Sequence, residues 1–305
     1  MHEFRSLAIE TTTVCNSKCV VCPHETLFER PITTMPMRLF KKILLDLRDN
    51  HKLSCPIVLG GMGDSSCDKL LVERLRFARE HTPDFQFVAA SNMALWKPAM
   101  TDAVIGQRLI AKLRFSLLAY TDEGSLRMYK RGDQVRKACE AFDYFLDRNR
   151  AAGNPVVTEI YTLLLPDDTG DVEGIKARYW DVVDLFEVWR PHSWANIFPE
   201  LRPLKPGRMR CSKIESFDPV ICVDGDVTSC SMDINHKNVY GNLARQSVAE
   251  VIEGEVYRRY RETNRQGRLD TVELCGNCAF INNQEPDVLL ESKSDIRAID
   301  TKVGY

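Results

Sequence analysis

The sequence lacks the features that would place the protein in a membrane or on a nucleic acid. No run of about 18 apolar residues occurs in its 305 residues, which argues against a bilayer-spanning helix. Basic and acidic side chains number 41 and 43, so the net charge of −2 offers no electrostatic footprint for nucleic acid or an anionic membrane. The N-terminus, Met1-His2-Glu3, does not have the pattern of a signal peptide. We therefore expect a cytoplasmic protein whose partners include neither a membrane nor a nucleic acid.

Cysteine is abundant by contrast, and its spacing is the main signal in the chain. Eleven cysteines in a chain of cytosolic character favour metal ligation over disulfide bonds. Cys15, Cys19 and Cys22 lie four and three residues apart, directly after the alternating apolar run Phe4–Ile9. Three thiolates cannot complete a tetrahedral structural zinc site. They can hold three irons of a 4Fe–4S cluster and leave the fourth iron open to a small ligand.

This C-x3-C-x2-C pattern resembles the radical S-adenosylmethionine (SAM) superfamily, although chance or a degraded zinc knuckle is the alternative for the triplet alone. In that superfamily the open iron chelates SAM, and an electron cleaves SAM to a 5′-deoxyadenosyl radical. The resemblance implies that SAM and a 4Fe–4S cluster are cofactors. It also implies a reducing partner such as flavodoxin or ferredoxin.

The first 190 residues alternate between strand-like and helix-like segments. Six strand–helix units imply a parallel sheet with right-handed crossovers, which is an α/β fold. Periodicity does not distinguish an open doubly wound sheet from a partial barrel, and the superfamily resemblance favours a partial (β/α)6 TIM-like barrel over residues 1–200. In both arrangements the site forms at the carboxyl ends of the strands. The predicted strands are Phe4–Ile9, Pro56–Leu59, Phe85–Ala90, Lys112–Leu117, Val156–Leu165 and Val182–Val188.

The alternation stops near residues 202–207, where proline and glycine indicate a linker. A β-hairpin is predicted next, from Val220–Val223 and Val227–Ser229 around an Asp-Gly turn. A helix from Ser247 to about Thr263 follows it. We expect a small β-hairpin-plus-helix module over residues 201–283 and a charged helical tail over residues 284–305.

A second group of thiols falls in this module, at Cys211, Cys230, Cys275 and Cys278. Its layout resembles the shortened auxiliary-cluster module called twitch, a truncated SPASM domain. Four thiolates would saturate a second 4Fe–4S cluster, and a structural zinc site with the same ligand types is the alternative. The presence of the first triplet favours iron and sulfur, so two 4Fe–4S clusters are expected. Strand alternation and the family pattern favour Cys230 as the ligand and Cys222 as a packing residue.

A glycine-rich segment, residues 59–64, follows the second strand, and its glycines allow the backbone to approach a ligand closely. An ordinary strand-to-helix turn is the alternative. By resemblance, this segment holds the ammonium group of SAM, residues at strand ends contact its ribose and carboxylate, an arginine pairs with that carboxylate, and the residue before the third thiol contacts adenine. For the arginine, Arg127 competes with the favoured Arg131. The SAM-binding residues implied are Gly61, Met62, Gly63, Asp64, Ser91, Asn92, Ser116, Arg131 and Val21.

Length and cysteine layout resemble the twitch-containing aminocyclitol dehydrogenases of aminoglycoside antibiotic biosynthesis. The resemblance implies that a small aminocyclitol or sugar loses hydrogen from a hydroxyl-bearing carbon, and that the auxiliary cluster accepts an electron as a ketone forms. Arg190 and His192 are the first candidates for the base that removes the hydroxyl proton, ahead of Glu159 and Tyr161. A peptide maturase is the second hypothesis, and a zinc-stapled scaffold without enzymatic activity is the third.

Overall fold

The computed structural model describes residues 3–166, 170–202, 204, 210–282 and 289–293. Its strands are short, and most of them are buried on both faces, as expected of a parallel sheet covered by helices. The strands are β1 (Glu3–Phe4), β2 (Leu7–Ile9), β3 (Lys52–Leu53), β4 (Ile57–Leu59), β5 (Phe87–Ser91), β6 (Lys112–Ser116), β7 (Val157–Leu163), β8 (Leu185–Trp189), β9 (Val220–Ile221), β10 (Asp226–Thr228), β11 (Val239–Asn242) and β12 (Leu289–Lys293).

Amphipathic helices follow most of the strands. Two of them carry apolar stripes, which face the core through residues such as Phe40 and Phe142. Short 3₁₀ turns occupy Ser65–Cys67, Leu269–Thr271 and Cys275–Asn277. The α-helices are α1 (Met37–Asn50), α2 (Leu71–His81), α3 (Pro98–Gly106), α4 (Asp122–Tyr129), α5 (Gln134–Ala151), α6 (Asp171–Tyr179), α7 (Ser212–Ser216), α8 (Val248–Ile252), α9 (Glu255–Arg265) and α10 (Ala279–Asn282).

Six parallel strands, β2, β4, β5, β6, β7 and β8, lie side by side in the order of the sequence. A doubly wound sheet would reverse its strand order at a switch point, and this sheet does not. The predicted α/β class is therefore confirmed, with the strand order of a partial barrel. Each end of the six-strand run carries a further strand among the described residues, β9 on β2 and β12 on β8, and a closed barrel is not seen there.

The C-terminal module is continuous with this sheet. Strand β9 pairs parallel to β2, with Val220 opposite Ala8, and the antiparallel strands β10 and β11 extend the sheet from β9. The predicted hairpin is present, and Gly225 in its turn has a φ of 93°, in the region that glycine reaches without strain. The ten-stranded sheet therefore connects the two groups of thiols through hydrogen-bonded backbone.

Three sequence predictions need correction. The single strand Phe4–Ile9 is two strands, because β1 pairs with β3 while β2 joins the main sheet. The single helix predicted after Ser247 is two helices, α8 and α9, which meet at Gly254. In the tail predicted to be helical, Leu289–Lys293 is a strand that pairs antiparallel with β8. The predicted linker at residues 202–207 falls mostly outside the described residues.

Among the described residues, no helix combines the length and the apolar character needed to cross a bilayer.

Candidate active site

The first thiol group occupies the loop between β2 and α1. The thiols of Cys15, Cys19 and Cys22 are half-buried. Burial raises the pKa of the Cys19 thiol well above its usual 9.0, and the neighbouring Cys22 and Cys15 raise it further. Burial, with the charge of Asp64, raises the pKa of Cys15 to about 12. Three crowded thiols of this kind become thiolates when a cationic centre compensates their charge, so the donor set fits an iron–sulfur cluster.

The loop that carries these thiols is fastened to the start of helix α5. Gln134 donates from Nε2 to the hydroxyl of Ser17 at 2.7 Å, and its Oε1 accepts from Asn16 at 3.3 Å. The backbone N–H of Val20 donates to the carbonyl of Met128 at 2.9 Å. The loop is therefore held by hydrogen bonds from the neighbouring strand–helix connections, and the sequence gives no signal for these partners.

The structure brings together three of the predicted SAM-binding residues, Asp64, Ser91 and Asn92. Oδ1 of Asp64 accepts from the Ser91 hydroxyl at 2.8 Å, and its Oδ2 accepts from the backbone N–H of Asn92 at 2.6 Å. The side-chain amide of Asn92 donates to Asn16 at 3.0 Å, next to the first thiol. This buried network shapes the carboxyl ends of β4 and β5 beside the thiol loop.

Two of the three glycines of the segment after β4 sit where a side chain would collide with the protein itself. A Cβ on Gly63 would lie 2.3 Å from the carbonyl oxygen of Thr12, and one on Gly61 would lie 2.6 Å from Cγ of Glu10. Met62 between them is 7% exposed, and its backbone N–H donates to Oε2 of Glu10 at 2.9 Å. Glu10 is a residue of this site that the sequence analysis does not identify.

The remaining predicted SAM contacts are more scattered. Val21 is buried beside the thiols, and Ser116 is half-buried at the end of β6. Arg131 is exposed, and its backbone carbonyl accepts from the Ser125 hydroxyl at 2.5 Å. The competing Arg127 is ion-paired with Asp171.

The second thiol group surrounds a small cavity of about 40 Å³. Apolar side chains of Ile214 and Ile281 complete its wall. Burial, together with neighbouring Cys278 and Cys211, raises the pKa of the Cys230 thiol to about 12. Four thiols around one small cavity fit a fully ligated cluster. The four thiols that line this space are Cys211, Cys230, Cys275 and Cys278.

The other described cysteines lie apart from this cavity. Cys222 is 3% exposed within the hairpin, near the carbonyl of Val220 and the hydroxyl of Thr228, as a packing residue would be. Cys139 is buried on the core face of α5. Cys67 lies near Cys15, where burial and Asp64 raise the pKa of its own thiol to about 11.

A cavity of about 220 Å³ lies between the six parallel strands and the C-terminal module. Small residues line one wall, among them Gly60 and Ala90. The opposite wall carries larger side chains that include Tyr161 and Trp189. Cys230 of the second thiol group lines the same cavity, so the space reaches from the glycine-rich segment to the auxiliary module.

The two residues favoured as the base are placed differently. His192 lines this large cavity and also an adjoining one of about 50 Å³ beside Cys211, Cys230 and Cys278. Burial, with the positive charges of Arg202 and Lys213, lowers the pKa of His192 from its usual 6.5 to about 4. Its imidazole is therefore neutral at pH 7. Arg190 is half-buried after β8 and is not among the described residues that line the cavity.

The two other candidates lie on β7. Glu159 is fully buried and forms ion pairs with Lys112 and Arg114, the latter at 2.6 Å. These positive charges outweigh burial and hold the pKa of Glu159 below its usual range. Tyr161 lines the cavity above this cluster, with the guanidinium of Arg114 5.6 Å from its ring centroid. Glu159 therefore belongs to a buried charged cluster with Lys112 and Arg114, whereas Tyr161 lines the cavity.

Comparison with known proteins agrees with this geometry. A domain family described as an iron–sulfur cluster-binding domain, SPASM, matches residues 211–279, which contain all four thiols of the second group. The chain is also similar in fold to a crystal structure of anSMEcpe with bound AdoMet, with a TM-score of 0.65 and 13% identity over 95% of this chain and 89% of that one. The predicted resemblance to radical SAM enzymes with a C-terminal auxiliary-cluster module is thus confirmed.

Within that class, the matches include an aminocyclitol dehydrogenase. The SAM-dependent 2-deoxy-scyllo-inosamine dehydrogenase of Niallia circulans is 29% identical over 65 residues, which are 21% of this chain and 26% of that relative. A crystal structure of BtrN in complex with AdoMet and 2-DOIA shares the fold, with a TM-score of 0.62 and 19% identity over 91% of this chain and 94% of that one. These findings bear out the resemblance to aminocyclitol dehydrogenases.

Proposed function

We propose that this protein is a SAM-dependent dehydrogenase that oxidises a secondary alcohol of an aminocyclitol or sugar to a ketone. The observation that carries the proposal is the cavity lined both by Gly60 and Gly61 of the glycine-rich segment and by Cys230 of the C-terminal module. A substrate held there would lie between the two cofactor sites. The matching dehydrogenase of Niallia circulans supports the oxidation of an aminocyclitol.

The oxidation removes a hydrogen atom from carbon, a proton from the hydroxyl and one electron. Cys15, Cys19 and Cys22 would hold the cluster that binds SAM, which would supply the group that takes the hydrogen atom, and the four C-terminal thiols would hold a cluster that could accept the electron. The protein's own task is to orient the alcohol, exclude water and accept the proton. Seven thiolates would account for two clusters, with about eight irons per chain.

We assign proton acceptance to His192. Its side chain lines the cavity, and a neutral imidazole carries a ring nitrogen that can accept a proton. Arg190 is the weaker candidate, because a guanidinium rarely gives up its proton. Glu159 is a poor base, since its carboxylate is engaged by Lys112 and Arg114.

Orientation of the substrate falls to the wall that carries Tyr161 and Arg114, which supplies a hydroxyl and a guanidinium group. The Trp189 ring lies 6.0 Å from that of Tyr161, centroid to centroid, and gives this wall an apolar surface against which a ring of carbons can pack. We infer that the glycine-rich segment and the network of Asp64, Ser91 and Asn92 hold SAM, with Val21, Ser116 and Arg131 as further contacts. A flavodoxin or ferredoxin in the cytoplasm would supply the electron that starts each turnover.

Isotope transfer tests this proposal. An aminocyclitol carrying deuterium at the carbon to be oxidised is incubated anaerobically with the reconstituted protein, SAM and a reductant. We expect deuterium in 5′-deoxyadenosine, and one ketone formed for each deuterated 5′-deoxyadenosine. SAM cleavage without deuterium transfer from any of a panel of aminocyclitols and sugars would contradict the proposed substrate class.

Oxidation of a peptide is the second candidate, because a crystal structure of anSMEcpe with bound AdoMet and the Cp18Cys peptide shares the fold, with a TM-score of 0.61 and 13% identity over 94% of this chain and 92% of that one. The same assay separates the two candidates. Deuterium transfer from a labelled cysteine-containing peptide, with none from the aminocyclitols, would favour the peptide.

A further inference from the structure

Glu10 is the meeting point of four segments that lie far apart in the sequence. It follows β2 directly, and it is 2% exposed. Its two carboxylate oxygens accept from the guanidinium of Arg30 at 2.8 and 2.9 Å. Oε2 also accepts from the backbone N–H of Met62 at 2.9 Å, and Oε1 accepts from that of Val223 at 3.4 Å. One carboxylate thus contacts the glycine-rich segment, the loop after the first thiols and the auxiliary hairpin.

Arg30 extends this junction further into the auxiliary module. Its side chain is 9% exposed, and its Nε donates to the carbonyl of Ile234 at 2.7 Å. The adjacent backbone N–H of Glu29 donates to Oδ1 of Asn235 at 2.9 Å, and the amide of Asn235 donates to the carbonyl of Leu27 at 2.8 Å. The loop after Cys22 and the loop after Cys230 are therefore joined by hydrogen bonds in both directions.

The geometry points to a role for this pair that depends on the proposed function. We propose that Glu10 and Arg30 are positioning residues that fix the glycine-rich SAM-side segment against the auxiliary module, so that a substrate in the cavity meets both cofactor sites at once. Neither side chain lines the large cavity, so neither is assigned contact with the reacting atoms.

The chemistry of the junction explains why a neutral side chain cannot replace Glu10. Its oxygens receive four N–H donors, and an uncharged amide in the same place would turn its NH₂ group toward one of them. A charged hydrogen bond contributes more than a neutral one, and the guanidinium would be left buried without its counter-charge. Because both segments depend on one carboxylate, its loss should loosen them together.

Glu10→Gln in the anaerobically reconstituted full chain tests this coupling by hydrogen exchange. We expect about tenfold faster exchange, which corresponds to the loss of about one charged hydrogen bond, at the amides of both Met62 and Val223. In turnover assays the amount of 5′-deoxyadenosine formed per ketone should rise, because SAM cleavage continues while the substrate is held less well. Arg30→Lys keeps the charge but removes the fork of donors, and it should show the same pattern to a smaller extent.

Asp68→Asn is the matched control. Asp68 and Arg74 are fully buried and ion-paired at 2.8 Å. Arg74 donates to the backbone carbonyl of Met35, just before α1, instead of to the auxiliary module. This variant should lose stability, but hydrogen exchange at the amides of Met62 and Val223 should not become faster. Faster exchange in Glu10→Gln at only one of the two amides, or at neither, would overturn the positioning role. If Glu10→Gln does not take up iron, hydrogen exchange at the same two amides in Arg30→Lys tests the positioning role instead. The exchange result holds whether or not the wild-type protein oxidises an alcohol, so the two proposals fail separately.

Discussion

Trp194 donates from its indole Nε1 to the backbone carbonyl of Val21 at 2.8 Å. Val21 directly precedes Cys22, and Trp194 follows β8 at the rim of the large cavity. The bond therefore links the third thiol of the first group to the segment that leads into the auxiliary module. Because Val21 is 7% exposed, its carbonyl depends on this donor in place of water.

Trp194→Phe should weaken SAM binding while leaving the second thiol group intact. The substitution keeps an aromatic ring but removes the donor, and an unpaired buried carbonyl costs about 1–3 kcal/mol. We expect the dissociation constant for SAM, measured by equilibrium dialysis, to rise about tenfold. The iron content should stay at that of the wild-type protein. An unchanged dissociation constant would mean that Val21 does not need this bond to hold the thiol loop.

The thiol groups were the part of the site most open to prediction from the sequence. Ligand cysteines are recognised by their spacing in the sequence. The spacing of Cys275 and Cys278 is a local feature that does not depend on the tertiary structure. The six-strand alternation was equally readable, since buried parallel strands leave continuous apolar runs. Periodicity alone does not distinguish an open doubly wound sheet from a partial barrel. The resemblance to a known superfamily favoured the partial barrel.

The contacts between distant segments were not open to prediction in the same way. Glu10 and Arg30 are ordinary charged residues in the sequence, and only the fold brings Val223 and Ile234 to them. The strand Leu289–Lys293 forms because β8 offers an unpaired edge, which is a tertiary effect that local propensity does not register. Glu159 was a candidate base by its position on a strand, but its ion partners lie on the neighbouring strand β6.

The two thiol groups should be separable by substitution. Cys15→Ala should abolish SAM cleavage, because two remaining thiols cannot hold a cluster with one open iron. Cys275→Ala should keep SAM cleavage and lose ketone formation, because the electron then has no acceptor. The measurements are iron content, 5′-deoxyadenosine and ketone in one anaerobic assay. Cys222→Ala is the control, since that thiol packs in the hairpin, and it should keep both activities. Full ketone formation by Cys275→Ala would remove the electron-accepting role from the second group.

His192 can be tested against Arg190 as the proton acceptor. His192→Gln should retain SAM cleavage but lose about 10²-fold or more in ketone formation, which is the usual contribution of a general base. Arg190→Gln, two residues away and outside the described cavity wall, should cost much less. The reverse order of effects would transfer the role to Arg190.

The pH dependence of stability gives His192 a signature that does not depend on activity. Its pKa is about 4 in the folded protein and near 6.5 when the side chain is exposed, so the unfolded chain binds more protons between these values. This contribution to stability is complete above about pH 6.5 and is lost as the pH falls toward 4. Between pH 7 and pH 5 it amounts to about 2 kcal/mol. In urea unfolding under anaerobic conditions, His192→Gln should therefore lose less stability over that interval than the wild-type protein does. Equal losses would show that the imidazole is not held neutral by burial and by its cationic neighbours Arg202 and Lys213.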